Sequence, residues 1–509
     1  MGFEQKIGPL QRMAERAREL QSQGERVVLC HGTFDLLHPG HVRHLRRARQ
    51  EGDRLFVTIT ADAYVNKGPN RPVFSHDLRA ESLAALGFVD TVAINHEVTA
   101  VNVIETVKPD IYVKGNDYRS ATDDVTGNIR IEQDAVERHG GRIFYTDEIV
   151  FSSTRLLNEH FETFSPVTRS YLKQFKKSHD ADTIVEMVHS LKEMSVLVVG
   201  ETIIDEYCYA SPLGQTGKSG NIPSVKYEST ERFAGGTLAV ANHVSGFAGK
   251  ITMLSGIGGN CPHADFMREK LHDDVTPVLF EYEEAPTLVK RRFVDPEMNK
   301  LFEIYLYERN PVTPPLEEKI VTWIKENADA YDCVIVADYG NGFVTAPMIQ
   351  ALCDSARFLA VNTQINSGNR GYHAITRYPR ADFVSLNEPE LRLAAHNRHD
   401  PLELVAARIG EAVNAQQLAI TLGTNGALLL EPNSKTSHRS PALSTHVVDR
   451  IGAGDAFLSL TAMALAGKLS PDVVLFLGSA AAALDVAIVC NRETVEPVDL
   501  FKYIHTLLK

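Results

Sequence analysis

No C-x-x-C pair occurs among the six cysteines, Cys30, Cys208, Cys261, Cys333, Cys353 and Cys490, scattered over 509 residues. That excludes a zinc ribbon and a disulfide framework and fits a chain kept in a reducing cytoplasm. Basic charge is also scarce. With 52 Lys and Arg against 65 Asp and Glu, the formal charge is -13, so neither nucleic acid nor an anionic membrane is expected as main partner. Long apolar runs are missing too. The most apolar stretch, Val473 to Leu484, is closed by Asp472 and Asp485 and is too short to span a bilayer, which predicts a buried helix. The amino-terminal stretch carries charges throughout, with Ile7, Leu10, Met13, Ala17 and Leu20 at helical spacing, as in an amphipathic helix and not an export signal. There is no internal repeat and no low-complexity tract.

What is present is βα alternation. Short β-branched runs such as "RVVLC", "RLFVTIT" and "DIYVKG" alternate with helix-like stretches, predicting a parallel α/β domain over residues 1–157. Residues 158–194 turn polar and helix-forming, as a helical connector would. At Ser195 "SVLVVG" opens a second, larger α/β domain, residues 195–509. Within it "SVKYESTERF" and "LVKRRFVDPEMNKLFEIYLYER" alternate like antiparallel strands, predicting a small β lid.

Four histidines, His31, His38, His41 and His44, crowd "HGTFDLLHPGHVRHL". A strand before it and a helix opened by Pro39 after it make a corner where free N–H groups and the helix dipole attract an anion. Gly32 and Gly40 allow close backbone approach, and His38 and His41 can donate hydrogen bonds to phosphate oxygens. A metal site is the weaker reading, because spacings of three place the imidazoles on a drifting helix face and no cysteine or carboxylate signature joins them. His31 and His44 read as structural or surface residues.

Further along, "VVDRIGAGDAFLSL" sets Gly452, Ala453 and Gly454 before Asp455 at the start of an apolar helix. Such a backbone cradle can hold a phosphoryl group in transfer, while the aspartate takes the proton of an attacking hydroxyl, as in a small-molecule kinase. By contrast "GQTGKSG" at Gly214 is not a P-loop, since Pro212 stands where the first glycine is required.

The motif G-T-F-D-x-x-H-x-G-H, followed by "NKGPNRPV", "RAESLAAL", "KPDIYVKGNDY" and "FSSTRLL", resembles the cytidylyltransferase-like nucleotidyltransferases, a Rossmann-like fold. The resemblance implies attack by a phosphate oxygen on the α-phosphate of ATP or CTP with release of pyrophosphate. It places Gly32, Thr33, Phe34 and Gly40 at the nucleotide and Lys67 and Arg71 on the phosphates. Ser153 and Thr154 match a late Ser/Thr motif, Asp35 and Asp117 sit in matching blocks, and Lys114 is either a ligand contact or a surface lysine. "GGTLAVANHVSGFAG", "ADYGNGF", "SLNEPE" and "TLGTNGA" resemble the ribokinase or PfkB sugar kinases. That resemblance implies that Asp205, Gly235 and Gly236 contact sugar and that Glu390, in N-x-x-E with Asn387, supports Mg²⁺ through water. It also sets Thr421, Gly423 and Gly426 beside the nucleotide. Lys290 and Arg292 either hold an anionic group of the substrate or form a solvated strand face.

The pairing is similar to the bifunctional heptose kinase/heptose 1-phosphate adenylyltransferases, which make ADP-heptose, although in that family the kinase comes first. The implied partners are a sugar or sugar phosphate and nucleoside triphosphates, with a homodimer formed through the kinase domain. Arg450, Ala239, Gln364 and Glu201 depart from the kinase pattern. Two rival readings follow: an active transferase beside a degenerate kinase that serves as sensor or dimer platform, and a transferase that forms a CDP-alcohol.

Overall fold

The structure, a computed structural model, describes residues 2–65, 71–115, 128–146, 164–215, 223–259, 262–434, 436–444 and 447–509. It divides into two compact units, Met1–Ser165 with Phe501–Lys509, and Pro166–Leu500.

In the first unit the strands β1 (Val27–Gly32), β2 (Arg54–Thr60), β3 (Thr91–Asn95), β4 (Ile111–Gly115) and β5 (Arg142–Thr146) form a parallel sheet in the order β3-β2-β1-β4-β5. Alternate side chains of β1 feed two cores. Val28 and Cys30 pack with Leu45, Ala48, Ala80 and Leu83, whereas Val27 and Leu29 pack with Met13, Ala17, Val103 and Val136. Helices therefore cover both faces, and the near-continuous apolar runs of the strands follow from that double burial. The amphipathic start is the helix Leu10–Ser22, burying Met13, Ala14, Ala17 and Leu20. Strand order reverses between β1 and β4, and in such sheets ligands bind at the carboxyl ends of the strands beside the reversal. His31 and Gly32 end β1; Lys114 and Gly115 end β4.

The polar stretch before Ser195 holds the helices Pro166–Phe175 and Ala181–Ser190. The second unit is built on β6 (Ser195–Gln215), whose two halves serve different sheets. Its first half lies between β8 (Lys250–Gly258) and β12 (Cys333–Asp338), parallel to both. Its second half pairs antiparallel with β7 (Pro223–Gly236) and parallel with β10 (Leu288–Val294), which pairs with β11 (Lys300–Leu306). The expected lid is thus the continuation of a central strand. The main sheet continues from β8 to β9 (Val275–Tyr282) and from β12 through β13 (Leu359–Thr363), β14 (Phe383–Asn387) and β15 (Gln417–Thr421), all parallel. The antiparallel strands β16 (Ala427–Glu431) and β17 (Thr436–Ser440) close it. Parallel strands put the carboxyl ends of β6's first half, β12, β13, β14 and β15 along one edge.

The apolar run Val473 to Leu484 lies in the buried helix Pro471–Asp485. Among the described residues no helix is long and apolar enough to cross a membrane. Gly214 and Gln215 of the P-loop look-alike end β6, and the rest of it lies outside the described residues.

Candidate functional site

At the end of β1 the chain turns sharply, with Phe34 and Leu36 at positive φ, 48° and 49°. Such backbone is costly for non-glycine residues and persists only where surroundings enforce it. The Asp35 carboxylate accepts the N–H groups of Val73 (2.9 Å) and Phe74 (3.2 Å), and the guanidinium of Arg79, 2% exposed, donates to the carbonyls of Thr33 and Thr60. Arg71 lies 3.8 Å from Asp35, both side chains buried. Together they aim the loop at the helix Pro39–Arg49.

His38 caps that helix, its Nδ1 accepting the N–H of Gly40 at 3.1 Å. With Nδ1 an acceptor, neutral His38 carries its proton on Nε2, and burial pushes its pKa down, so the neutral donor dominates. The His41 ring stacks on it at 3.9 Å and 22°, and Phe34 meets His41 edge-on at 5.3 Å. Two stacked imidazoles thus stand at the amino end of an eleven-residue helix, beside the point where strand order reverses. They can donate to phosphate oxygens with the helix dipole behind them.

His31 and His44 do other work. His31 bridges Thr58 (2.9 Å) and Thr60 (3.3 Å), and His44 reaches Thr146 (2.8 Å). Burial, then the Lys114 charge, holds both pKa values at about 4. The unfolded chain therefore binds more protons than the folded one between pH 6.5 and 4. Stability contributed by these two neutral rings is complete above pH 6.5 and is lost as pH falls toward 4. Hydrogen exchange of the β1 and β2 amides is expected to be faster at pH 5 than at pH 7, after correction for the intrinsic rate. Lys114, either ligand contact or surface lysine on the sequence alone, pairs at 2.8 Å with Glu132, whose side chain is 5% exposed. Glu132 also accepts from Tyr112 and from the Ala100 N–H. Lys67, Asp117, Ser153 and Thr154 lie outside the described residues.

In the second unit Asp455 stands in the first turn of the helix Ala453–Ala466. Gly452 opens the helix at φ 104°, and a Cβ there would come within 2.7 Å of Asp485, so only glycine fits. Burial, then the charge of Asp205, raises the Asp455 carboxyl to about 7, against the hydrogen bond from Tyr339 (2.8 Å) and the charge of Lys290. Register brings the neighbours in: Lys290 of β10 is opposite Asp205 of β6. Arg292 is hydrogen-bonded to Asp205 and lies 3.4 Å from Glu303. Lys290 and Arg292 are 4% and 7% exposed, so the solvated strand face is ruled out. The Lys290 ammonium sits 5.4 Å from the Tyr339 ring centroid and 5.7 Å from that of Tyr305. A Cβ on Gly235 would lie 2.1 Å from the Asp205 carboxylate; glycine is what lets Asp205 occupy its place. Gly236 follows at φ 60°.

Among the departures from the kinase pattern, Glu201 has a local explanation, and nothing in the structure explains Ala239 or Gln364. Glu201 accepts the N–H groups of Tyr339 and Asn341, each at 2.9 Å, a span its longer arm can bridge. Asp449, just before the cradle, accepts from Tyr207 (2.6 Å), Lys300 (3.2 Å) and Cys490 N–H (3.2 Å), while the Arg450 side chain is exposed. The backbone carbonyl of Gln364 accepts from Asn369, a contact independent of its side chain. Ala239 is buried in the helix Thr237–Ser245.

Asn387 and Glu390 form a capping box, the second Glu390 oxygen accepting Ile365 N–H at 3.2 Å. Burial raises the Glu390 carboxyl to about 7. Among the described residues no cluster of three or more His, Cys, Asp or Glu could hold a metal ion. Thr421 ends β15, and Gly423 and Gly426 turn at φ 58° and 87° on the same edge of the sheet. Tyr339 and Arg79 were not singled out from sequence; Tyr339 lay within "ADYGNGF" and Arg79 opened "RAESLAAL".

The family described as pfkB family carbohydrate kinase matches residues 194–489, more than half the chain. The chain belongs to the pfkB family. A second family, Cytidylyltransferase-like, matches residues 29–159, so in this pfkB-family chain the transferase-like region precedes the kinase-like one. Similar curated proteins are the Bifunctional protein HldE of Gluconobacter oxydans (41% identity over 151 residues, 29% of this chain and 30% of that protein) and of Azotobacter vinelandii (39% over 155 residues, 30% and 31%). The chain thus spans about three tenths of the length of the curated relatives it matches. Phosphofructokinase-2 from Escherichia coli in complex with potassium shares the fold, with TM-score 0.50, 16% identity, 62% of this chain and 100% of that one.

Proposed function

We propose that the chain makes a nucleotide-activated sugar in two steps. The second unit phosphorylates a heptose-like sugar or sugar phosphate with ATP, and the first transfers a nucleotidyl group from ATP or CTP to a sugar 1-phosphate. The observation that carries the kinase reading is Asp455, a carboxylate raised to about 7 at a helix start, within reach of Tyr339 and charge-coupled to Asp205 and Lys290. The sugar hydroxyl would give its proton to Asp455 as its oxygen bonds to the γ-phosphorus and the bond to the leaving ADP oxygen breaks. Gly452, Ala453 and Gly454 would cradle the group in flight, and Asp205, Gly235 and Gly236 would orient the sugar. Asn387, Thr421, Gly423 and Gly426 would line the nucleotide. Glu390 would support Mg²⁺ through water, and the ion would supply neutralisation of the phosphate charge.

In the first unit His38 and His41 would hold the triphosphate, with Gly32, Thr33, Phe34, Gly40, Lys67, Arg71, Lys114, Asp117, Ser153 and Thr154 around it. No protein nucleophile is needed, and catalysis rests on positioning and charge stabilisation. We place the two activities in domains 1–157 and 195–509, joined by 158–194. The buried free cysteines among the described residues suit a cytoplasmic setting. Phe302, Ile304 and Leu306, 36%, 40% and 42% exposed on one face of edge strand β11, suit a homodimer through the kinase unit.

Of the pair Lys290 and Arg292, Arg292 is engaged by Asp205, so we assign Lys290 to receive an anionic substrate group, its charge favoured by Asp205 against the cost of burial. ADP release is therefore expected on a sugar phosphate, and Lys290→Met is expected to raise its KM by about 10- to 100-fold, the value of one charge-assisted hydrogen bond. An equal effect on neutral and phosphorylated sugars would contradict this role.

A further inference from the structure

Tyr339 is fixed at more points than a core tyrosine needs. Its N–H is held by Glu201, and its carbonyl accepts from Asn366 (2.6 Å), Asn369 (3.1 Å) and Asn341 (3.2 Å). Its ring lies under the Lys290 ammonium, and its hydroxyl, the one free-turning end, donates to Asp455 Oδ1 at 2.8 Å. The residue is 3% exposed. Asn366 and Asn369 belong to the loop after β13, so this one carbonyl is gripped from a segment distant in sequence. We propose that Tyr339 is a positioning residue for phosphoryl transfer: its phenol donates to one oxygen of Asp455, fixing the carboxylate so that the other oxygen faces the substrate hydroxyl. The inference rests on the kinase reading of Asp455.

The groups that act electrostatically on Asp455 come from several elements: Asp205 of β6, Lys290 of β10, Tyr339 after β12, Glu390 after β14, and Asp485 at the end of its helix. A hydrogen bond donated to a carboxylate stabilises its charged form, so its loss raises the pKa. In Tyr339→Phe the acid limb of the kcat–pH profile for ADP formation is expected to move up by about one pH unit. The plateau kcat is expected to fall about tenfold from the loss of orientation, with sugar KM within about twofold of wild type. An unchanged limb with an unchanged plateau, or an effect confined to KM, overturns the proposal while wild-type, Asp455-dependent turnover leaves the kinase reading standing. Wild type without such turnover on any sugar overturns both. ATP binding and the melting profile report whether the variant is folded. If it is not, Asn369→Ala, which loosens the carbonyl grip and keeps the phenol, is read in its place: a lowered kcat at unchanged KM supports the proposal, and wild-type kinetics overturn it.

Discussion

Asp455→Asn is expected to lower ADP formation about 1,000-fold at pH 8, the range for losing a general base, while leaving pyrophosphate release untouched. Below about pH 7 the wild-type rate is expected to fall about tenfold per pH unit, because only the ionised carboxylate accepts a proton and burial holds its pKa near 7. Stability separates this loss from simple unfolding. A carboxyl raised in the folded state contributes stability that is present at acid pH and lost as pH rises through 7. The neutral amide relieves that penalty, so at pH 8 the variant is expected to melt no earlier than wild type. A lowered melting point together with lost activity would point to a structural role for Asp455.

His41→Ala is expected to reduce pyrophosphate release about 100- to 1,000-fold, the cost of removing one donor from developing phosphoryl charge, with ADP formation unchanged. His41 is the cleaner probe of the pair, since His38 also caps its helix and its loss would cost about 0.5–2 kcal/mol of stability. Intact pyrophosphate release in His41→Ala would remove the stacked imidazoles from the mechanism.

Features written in contiguous sequence were legible. "HGTFDLLHPGH" announced a strand, a turn and a helix start, and "GAGD" an apolar helix with an aspartate in its first turn; both stand so. Alternation in "LVKRRFVDPEMNKLFEIYLYER" became the antiparallel pair β10 and β11. Partners set by tertiary register were not legible. Lys114 could be weighed only as ligand contact or surface lysine, because Glu132 reaches it from the helix Asn128–Arg138. Lys290 and Arg292 read either as holders of an anionic substrate group or as a solvated strand face until the register of β10 on β6 set them opposite Asp205 and Tyr207. Tyr339 carried no distinguishing signal, since its ties run to Glu201, Asn366, Asn369 and Asp455 on three different segments.

The most direct test of two activities in one chain is mass spectrometry of the products formed from a matrix of nucleoside triphosphates with sugars and sugar phosphates, run on wild type, His41→Ala and Asp455→Asn. Wild type is expected to yield a phosphorylated sugar from one set of substrates and a nucleotide-activated sugar from another, with Asp455→Asn abolishing only the first product and His41→Ala only the second. A sugar phosphate that survives Asp455→Asn, or a nucleotide sugar that survives His41→Ala, would contradict the assignment of the two sites.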